Sequence, residues 1–143
     1  MFFVSALVAA AVLTAVHCDA QQTPAQSWGS GESIAFGYAN SNWCHGGYTP
    51  ITVWLSESVP TSLNSSGELP EGTYIEYYGQ FLIPNFGLPP LPPTAPATIT
   101  IPDISSYSSG SDLYVSVVET ANTCPPGNQP PQYEYSTVAV TVE

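Results

Sequence analysis

Fifteen prolines run through a 143-residue chain, and they restrict its fold more than any other feature. Proline fixes its own φ, lacks an N–H, and breaks helix interiors and central strands alike. Many of them fall in stretches of turn and loop composition: SESVPTSLNSSGELPEG, PNFGLPPLPPTAP, PDISSYSSGS and NTCPPGNQPPQ. Between these lie segments that alternate with period two and favour β-branched and aromatic residues, the pattern of strands. ESIAFGYA (32–39) sets Ile34, Phe36 and Tyr38 on one face. YTPITVWLSE (48–57) sets Ile51, Val53 and Leu55 together, with Trp54 opposite. TYIEYYGQFLI (73–83) alternates through Ile75, Tyr77, Gly79, Phe81 and Ile83. ATITIP (97–102) pairs Ile99 with Ile101, and SDLYVSVVET (111–120) sets Leu113, Val115 and Val117 against Tyr114, Ser116 and Val118. YSTVAVTV (135–142) sets Val138, Val140 and Val142 on one face. After the first twenty residues no segment carries a helical repeat.

Six or seven short strands separated by turn signals predict an all-β fold, an immunoglobulin/fibronectin-like two-sheet sandwich over residues 32–143. A small barrel is the alternative. Residues 21–31, QQTPAQSWGSG, read as a lead-in or an edge strand, with Trp28 covering the end of the core. LPPLPPTAP (88–96) resembles a polyproline docking motif; its simpler reading is a stiff crossover between sheets.

Residues 2–16 are apolar apart from Ser5 and Thr14, too short for the roughly 20-residue helix that spans a bilayer. Cys18-Asp19-Ala20 follows, with small residues suited to cleavage. Residues 1–20 therefore read as a secretory signal peptide cut after Ala20, although a basic n-region is lacking. No later segment is long or apolar enough to cross a membrane. Cleavage removes Cys18 and leaves Cys44 and Cys124, an even count that suits an oxidising, extracellular destination. Asn64-Ser65-Ser66 is an N-glycosylation sequon in a polar loop.

The chain has no lysine or arginine and a formal charge of −11. Nucleic acid is excluded as a partner, because phosphate binding needs cationic groups, and anionic membranes are disfavoured for the same reason. Charged residues make up only 8% of the chain and hydrophobic ones 43%, so it has a core to bury and is not an acidic tail. A monomer is expected, and crowding of like charges favours the fold in mild acid.

NWCHGGY (42–48) is where chemistry would reside. Cysteine beside histidine suits a metal ligand pair, an activated nucleophile or half of a disulfide. Cys44 follows the first strand of the 32–142 series and Cys124 the fifth, so in an antiparallel succession both loops share one end. That parity predicts a Cys44–Cys124 bridge, worth about 4–5 kcal/mol in the chain-entropy account. A structural zinc wants four ligands and a cysteine nucleophile a free thiolate; His45 is left with neither. Glu68, Glu71 and Glu76 are candidates for paired-carboxylate glycoside hydrolysis by proximity only. No catalytic residue, metal or cofactor is therefore expected. Trp28, Trp43, Trp54 and nine tyrosines offer possible sugar-stacking faces, although core packing accounts for most aromatics first.

The succession YGQFLIPNF, ATITIPDI, SDLYVSVVET, YEYSTVAVTV resembles small fungal secreted proteins of the necrosis-inducing secreted protein family. The likeness covers roughly residues 32–142 and is strongest over 79–142. It implies a β-sandwich-like body and a plant-associated effector that dampens host immune signalling by binding host proteins at receptor kinases. It carries no catalytic signature. The expectation is thus a secreted, non-catalytic β-sandwich that binds a protein partner, or alternatively an extracellular polysaccharide or cell wall.

Overall fold

The computed structural model describes residues 27–40, 46–122, 127 and 129–143. Among these the chain is all-β, with seven strands and no helix. The strands are β1 (Ser27–Trp28), β2 (Ser33–Ala35), β3 (Tyr48–Ser56), β4 (Glu76–Pro84), β5 (Thr98–Thr100), β6 (Asp112–Ala121) and β7 (Gln132–Val142). They form a five-stranded sheet in the order β1-β7-β6-β3-β4 and a two-stranded sheet, β2-β5. All pairs are antiparallel except β1 with β7. The short β1 falls inside the expected lead-in, and Trp28 is buried at the core's edge.

One core lies between the sheets. Ile34 and Ile99 enter it from the small sheet; Ile51, Val53, Leu55, Leu113, Val115, Val117 and Val140 enter from the large one. Ile51, Val53 and Leu55 have no exposed surface, and burying each stabilises the fold by about 1.5–3 kcal/mol. This is the face that the alternation in β3 and β6 predicts. Trp54 and Val118 point the other way, as expected, and do not meet water. The 57–75 connection folds over them, bringing Leu63, Leu69 and Tyr74 onto the outer face with Tyr133 of β7 to make a second cluster. Composition marked this segment only as a loop. It adds a layer to one side of the large sheet, with Tyr135 Oη donating to the Pro60 carbonyl at 2.9 Å.

Strand β4 departs from simple alternation. Val53 pairs with Gly79 but Trp54 pairs with Tyr77, so Tyr78 is the extra residue of a β-bulge. Gly79 sits at φ 124, a conformation that glycine enters without a Cβ clash. The bulge shifts the faces by one residue. Tyr78 joins Phe81 and Ile83 against the core, whereas Tyr77 crosses to the outer face and stacks on Trp54 at 4.3 Å. The expected grouping of Tyr77 with Ile75 and Phe81 is corrected accordingly.

Pro50 lies inside β3, a central strand. Its pairing with β6 begins only at Ile51, so no ladder bond to β6 is lost to the missing N–H. The 88–96 segment carries the chain from β4 in the large sheet to β5 in the small one, as the stiff-crossover reading expects.

Candidate functional site: the Phe86 loop

The β4–β5 connection begins with a tight turn. The Leu88 N–H donates to the Asn85 carbonyl at 3.0 Å, and the two central residues, Phe86 (φ 56) and Gly87 (φ 71), both have positive φ. That is the type I′ pattern, which glycine, asparagine and aspartate fill readily. A bulky aromatic there is a steric outlier. Phe86 is the one non-glycine residue at positive φ among those described, and it is 82% exposed. Burial therefore returns nothing for the strain.

Asn85 holds the turn from beneath. It is buried, and its side-chain amide donates to the Gly46 carbonyl at 2.8 Å and to Thr49 Oγ1 at 2.9 Å. Its oxygen accepts from Asn40 Nδ2, which also donates to Thr49 Oγ1 at 2.8 Å. Its backbone N–H donates to the Gly47 carbonyl at 2.8 Å. Polar groups of five residues from three segments (Asn40; Gly46, Gly47 and Thr49; Asn85) are thereby satisfied, as buried polar groups require.

Beyond the turn, Leu88, Leu91 and the prolines at 89, 90, 92 and 93 are all exposed. Tyr48 Oη donates to the Pro89 carbonyl at 3.0 Å. The Leu82 N–H donates to the Pro93 carbonyl at 2.8 Å, and Thr94 forms a parallel bridge to Leu82. The Pro92–Pro93 peptide bond is cis. Leu88 lies against Gly47 so closely that a Cβ there would come within 2.9 Å of its Cδ1. Proline fixes φ at positions 89, 90, 92 and 93, and the bonds from Tyr48 and Leu82 tie this stretch to the large sheet. The loop carrying Phe86, Leu88 and Leu91 therefore has less conformational entropy to lose than a proline-free one. A pre-ordered apolar display is what a protein-binding surface needs. No charged side chain lies between Glu76 and Asp103.

Of the tryptophans, cysteines and other site candidates singled out in the sequence, those among the described residues lie away from this loop. Trp28 and Trp54 are buried and present no face to solvent; Trp54 Nε1 donates to Thr52 Oγ1 at 2.8 Å, and Tyr74 meets its ring edge-on at 4.7 Å. Trp43, Cys44, His45 and Cys124 lie outside the described residues. Asn64 is exposed in its loop; its Oδ1 accepts from the N–H groups of Ser66 and Glu68 at 2.9 and 3.0 Å, and its amide nitrogen reaches Glu68 at 3.2 Å. Glu68 and Glu71 are exposed and Glu76 is half-buried on β4.

At the same end of the large sheet as the Phe86 turn is a polar group that the alternation concealed. Glu119 sits in register with Ile51 and Glu134, is buried, and accepts a hydrogen bond from Tyr38 Oη. Burial first, then the bond to Glu119, raises the Tyr38 phenol far above its ordinary range, so it stays a donor. Among the described residues no group of three or more His, Cys, Asp and Glu side chains is placed to hold a metal ion.

Comparison with protein-family models, with curated proteins and with solved structures finds no match.

Proposed function

We propose that the protein is a secreted, non-catalytic binding module that engages a protein partner through the Phe86 loop. One observation carries this reading: a large apolar side chain is held in a strained, almost fully exposed position by a buried polar scaffold. Strain of this kind persists where the surroundings over-determine it, and it concentrates at ligand-contacting positions. Aromatic anchors flanked by energetically minor contacts are the usual anatomy of a binding hot spot. Leu88 and Leu91 supply those flanking contacts here. The plant-associated effector role implied by the family resemblance specifies the partner further, as a host protein at the cell surface.

An immunoglobulin-like assignment and a Cys44–Cys124 bridge belong to the same proposal. Support for the bridge comes from the described flanks. Ile51 of β3 lies opposite Glu119 of β6 in an antiparallel pair, so the segments that lead toward both cysteines are at one end of the sheet.

Photo-crosslinking tests the docking surface. A benzoylphenylalanine in place of Phe86 should crosslink a discrete partner from host extracellular fluid. The same group in place of Ser109, at the opposite end of the large sheet, should not. Equal crosslinking from both positions, or none from Phe86, defeats the reading.

A further inference from the structure

A second surface lies on the open flank of the molecule, where β4 of the large sheet faces β5 of the small one. A groove of about 480 Å³ runs there. Glu76, Tyr78 and Phe81 line it from β4; Pro96, Thr98 and Pro102 line it from the β5 side. Tyr78 is half-buried, yet its hydroxyl is shut off from solvent and has no hydrogen-bond partner among the described residues. A buried hydroxyl left unsatisfied is rare and calls for an explanation. Burial, and then the charge of Glu76, raises the Tyr78 phenol well above its ordinary range, so the group remains a donor in want of an acceptor.

We infer that this groove is a binding site for a neutral polysaccharide chain. Each sugar hydroxyl both donates and accepts. It can give a hydrogen bond to the Glu76 carboxylate and take one from Tyr78 Oη once that half-buried side chain turns toward the groove. The apolar faces of sugar rings suit the aromatic and proline lining, with Thr98 as a further polar contact. Alternative occupants fit less well. An anionic ligand would meet Glu76 in a chain with no lysine or arginine. An extended peptide would need to add to the free edge of β4, but the bulge at Tyr78 interrupts that edge and the Leu82 N–H is already taken by the Pro93 carbonyl. Bulges and covered edges are devices that block strand addition.

The site is independent of the Phe86 loop, and the experiment separates the two. Laminarihexaose and chitohexaose are titrated into the isotope-labelled protein and followed by amide shifts. At least one should bind, with shifts centred on residues 76–81 and 96–102. Tyr78→Phe should weaken binding by about five-fold, the worth of one neutral hydrogen bond. Its melting temperature should be unchanged or higher, because the lost hydroxyl has no partner among the described residues of the free protein. Glu76→Gln should weaken binding by about ten-fold, as loss of a charge-assisted bond does. Phe86→Gly should bind the saccharide as the wild type does. The inference is overturned if neither oligosaccharide binds at millimolar concentration, if Tyr78→Phe binds unchanged, or if the shifts centre elsewhere.

Discussion

Replacing Asn85 by alanine removes the support of the Phe86 turn and nothing else of size. The side chain makes three hydrogen bonds: to the Gly46 carbonyl at 2.8 Å, to Thr49 Oγ1 at 2.9 Å, and from Asn40 Nδ2. A buried hydrogen bond contributes about 0.5–1.5 kcal/mol net, and a stranded partner adds its own desolvation penalty. Thr49 has no exposed surface, but its hydroxyl keeps the bond from Asn40, so the Gly46 carbonyl bears most of the stranding. The expected loss is about 2–4 kcal/mol. A domain near this size loses roughly 4 °C of melting temperature per kcal/mol, which predicts a fall of roughly 8–16 °C. Thermal melts and urea titrations read it directly, and linear extrapolation with an unchanged m-value shows that the compactness of the unfolded chain is not responsible. Asn85→Asp should not rescue, because the carboxylate keeps the acceptor and loses both donors. A double-mutant cycle with Asn40→Ala should show coupling of at least about 0.5 kcal/mol. A loss under about 0.5 kcal/mol for Asn85→Ala, or strict additivity with Asn40→Ala, would refute the scaffold argument.

Gly67→Ala should destabilise the protein by about 2 kcal/mol or more, read by chemical denaturation. Its Cβ would fall 2.2 Å from the Tyr133 ring, at a φ of 77, which combines overpacking with backbone strain. The pH dependence follows from the buried phenols. Tyr38 and Tyr78 have raised folded values, so the stability they contribute is complete below the unfolded value near 10 and is lost as pH rises through the folded ones. Ultraviolet titration should find both phenols ionising only as the fold is lost. On the acid side Asp103 runs the opposite way: hydrogen bonds from Ser105 and from Ser30 lower its value, so its contribution is present at neutral pH and vanishes as pH falls through the folded value. Asp103→Asn should therefore lie below the wild type at neutral pH, and the gap in melting temperature should close in strong acid.

Period-two alternation made most of the core legible. Ile51, Val53 and Leu55 against Trp54, and Leu113, Val115 and Val117 against Val118, lie on the faces that their spacing requires. Alternation could not show the bulge at Tyr78, because an inserted residue is a property of two paired strands and not of one. It also could not show that Leu63, Leu69 and Tyr74 return to cover Trp54: a polar segment with a few apolar residues looks the same whether it is solvated or folded back. Trp28 is buried against the core, in line with its expected place at the core's end, and Trp54, also offered as a sugar-stacking face, is buried too, because ring type by itself says nothing of burial. Phe86 escaped notice for a related reason. Its meaning lies in a positive φ and a buried asparagine beneath it, and the sequence hint was slight: an aromatic between Asn85 and Gly87, residues that favour this turn.

The most direct test of the docking proposal is Phe86→Gly, measured for stability and for partner capture in the same preparation. Phe86 is 82% exposed at φ 56, so glycine loses little burial and relieves about 1–2 kcal/mol of left-handed strain, against its own entropy cost of about 0.5–1 kcal/mol. The account predicts a melting temperature equal to the wild type's or a few degrees higher, together with loss of the partner that wild-type protein captures from host extracellular fluid. A variant that melts lower and captures the same partner undiminished would show that Phe86 serves the fold and would contradict the account.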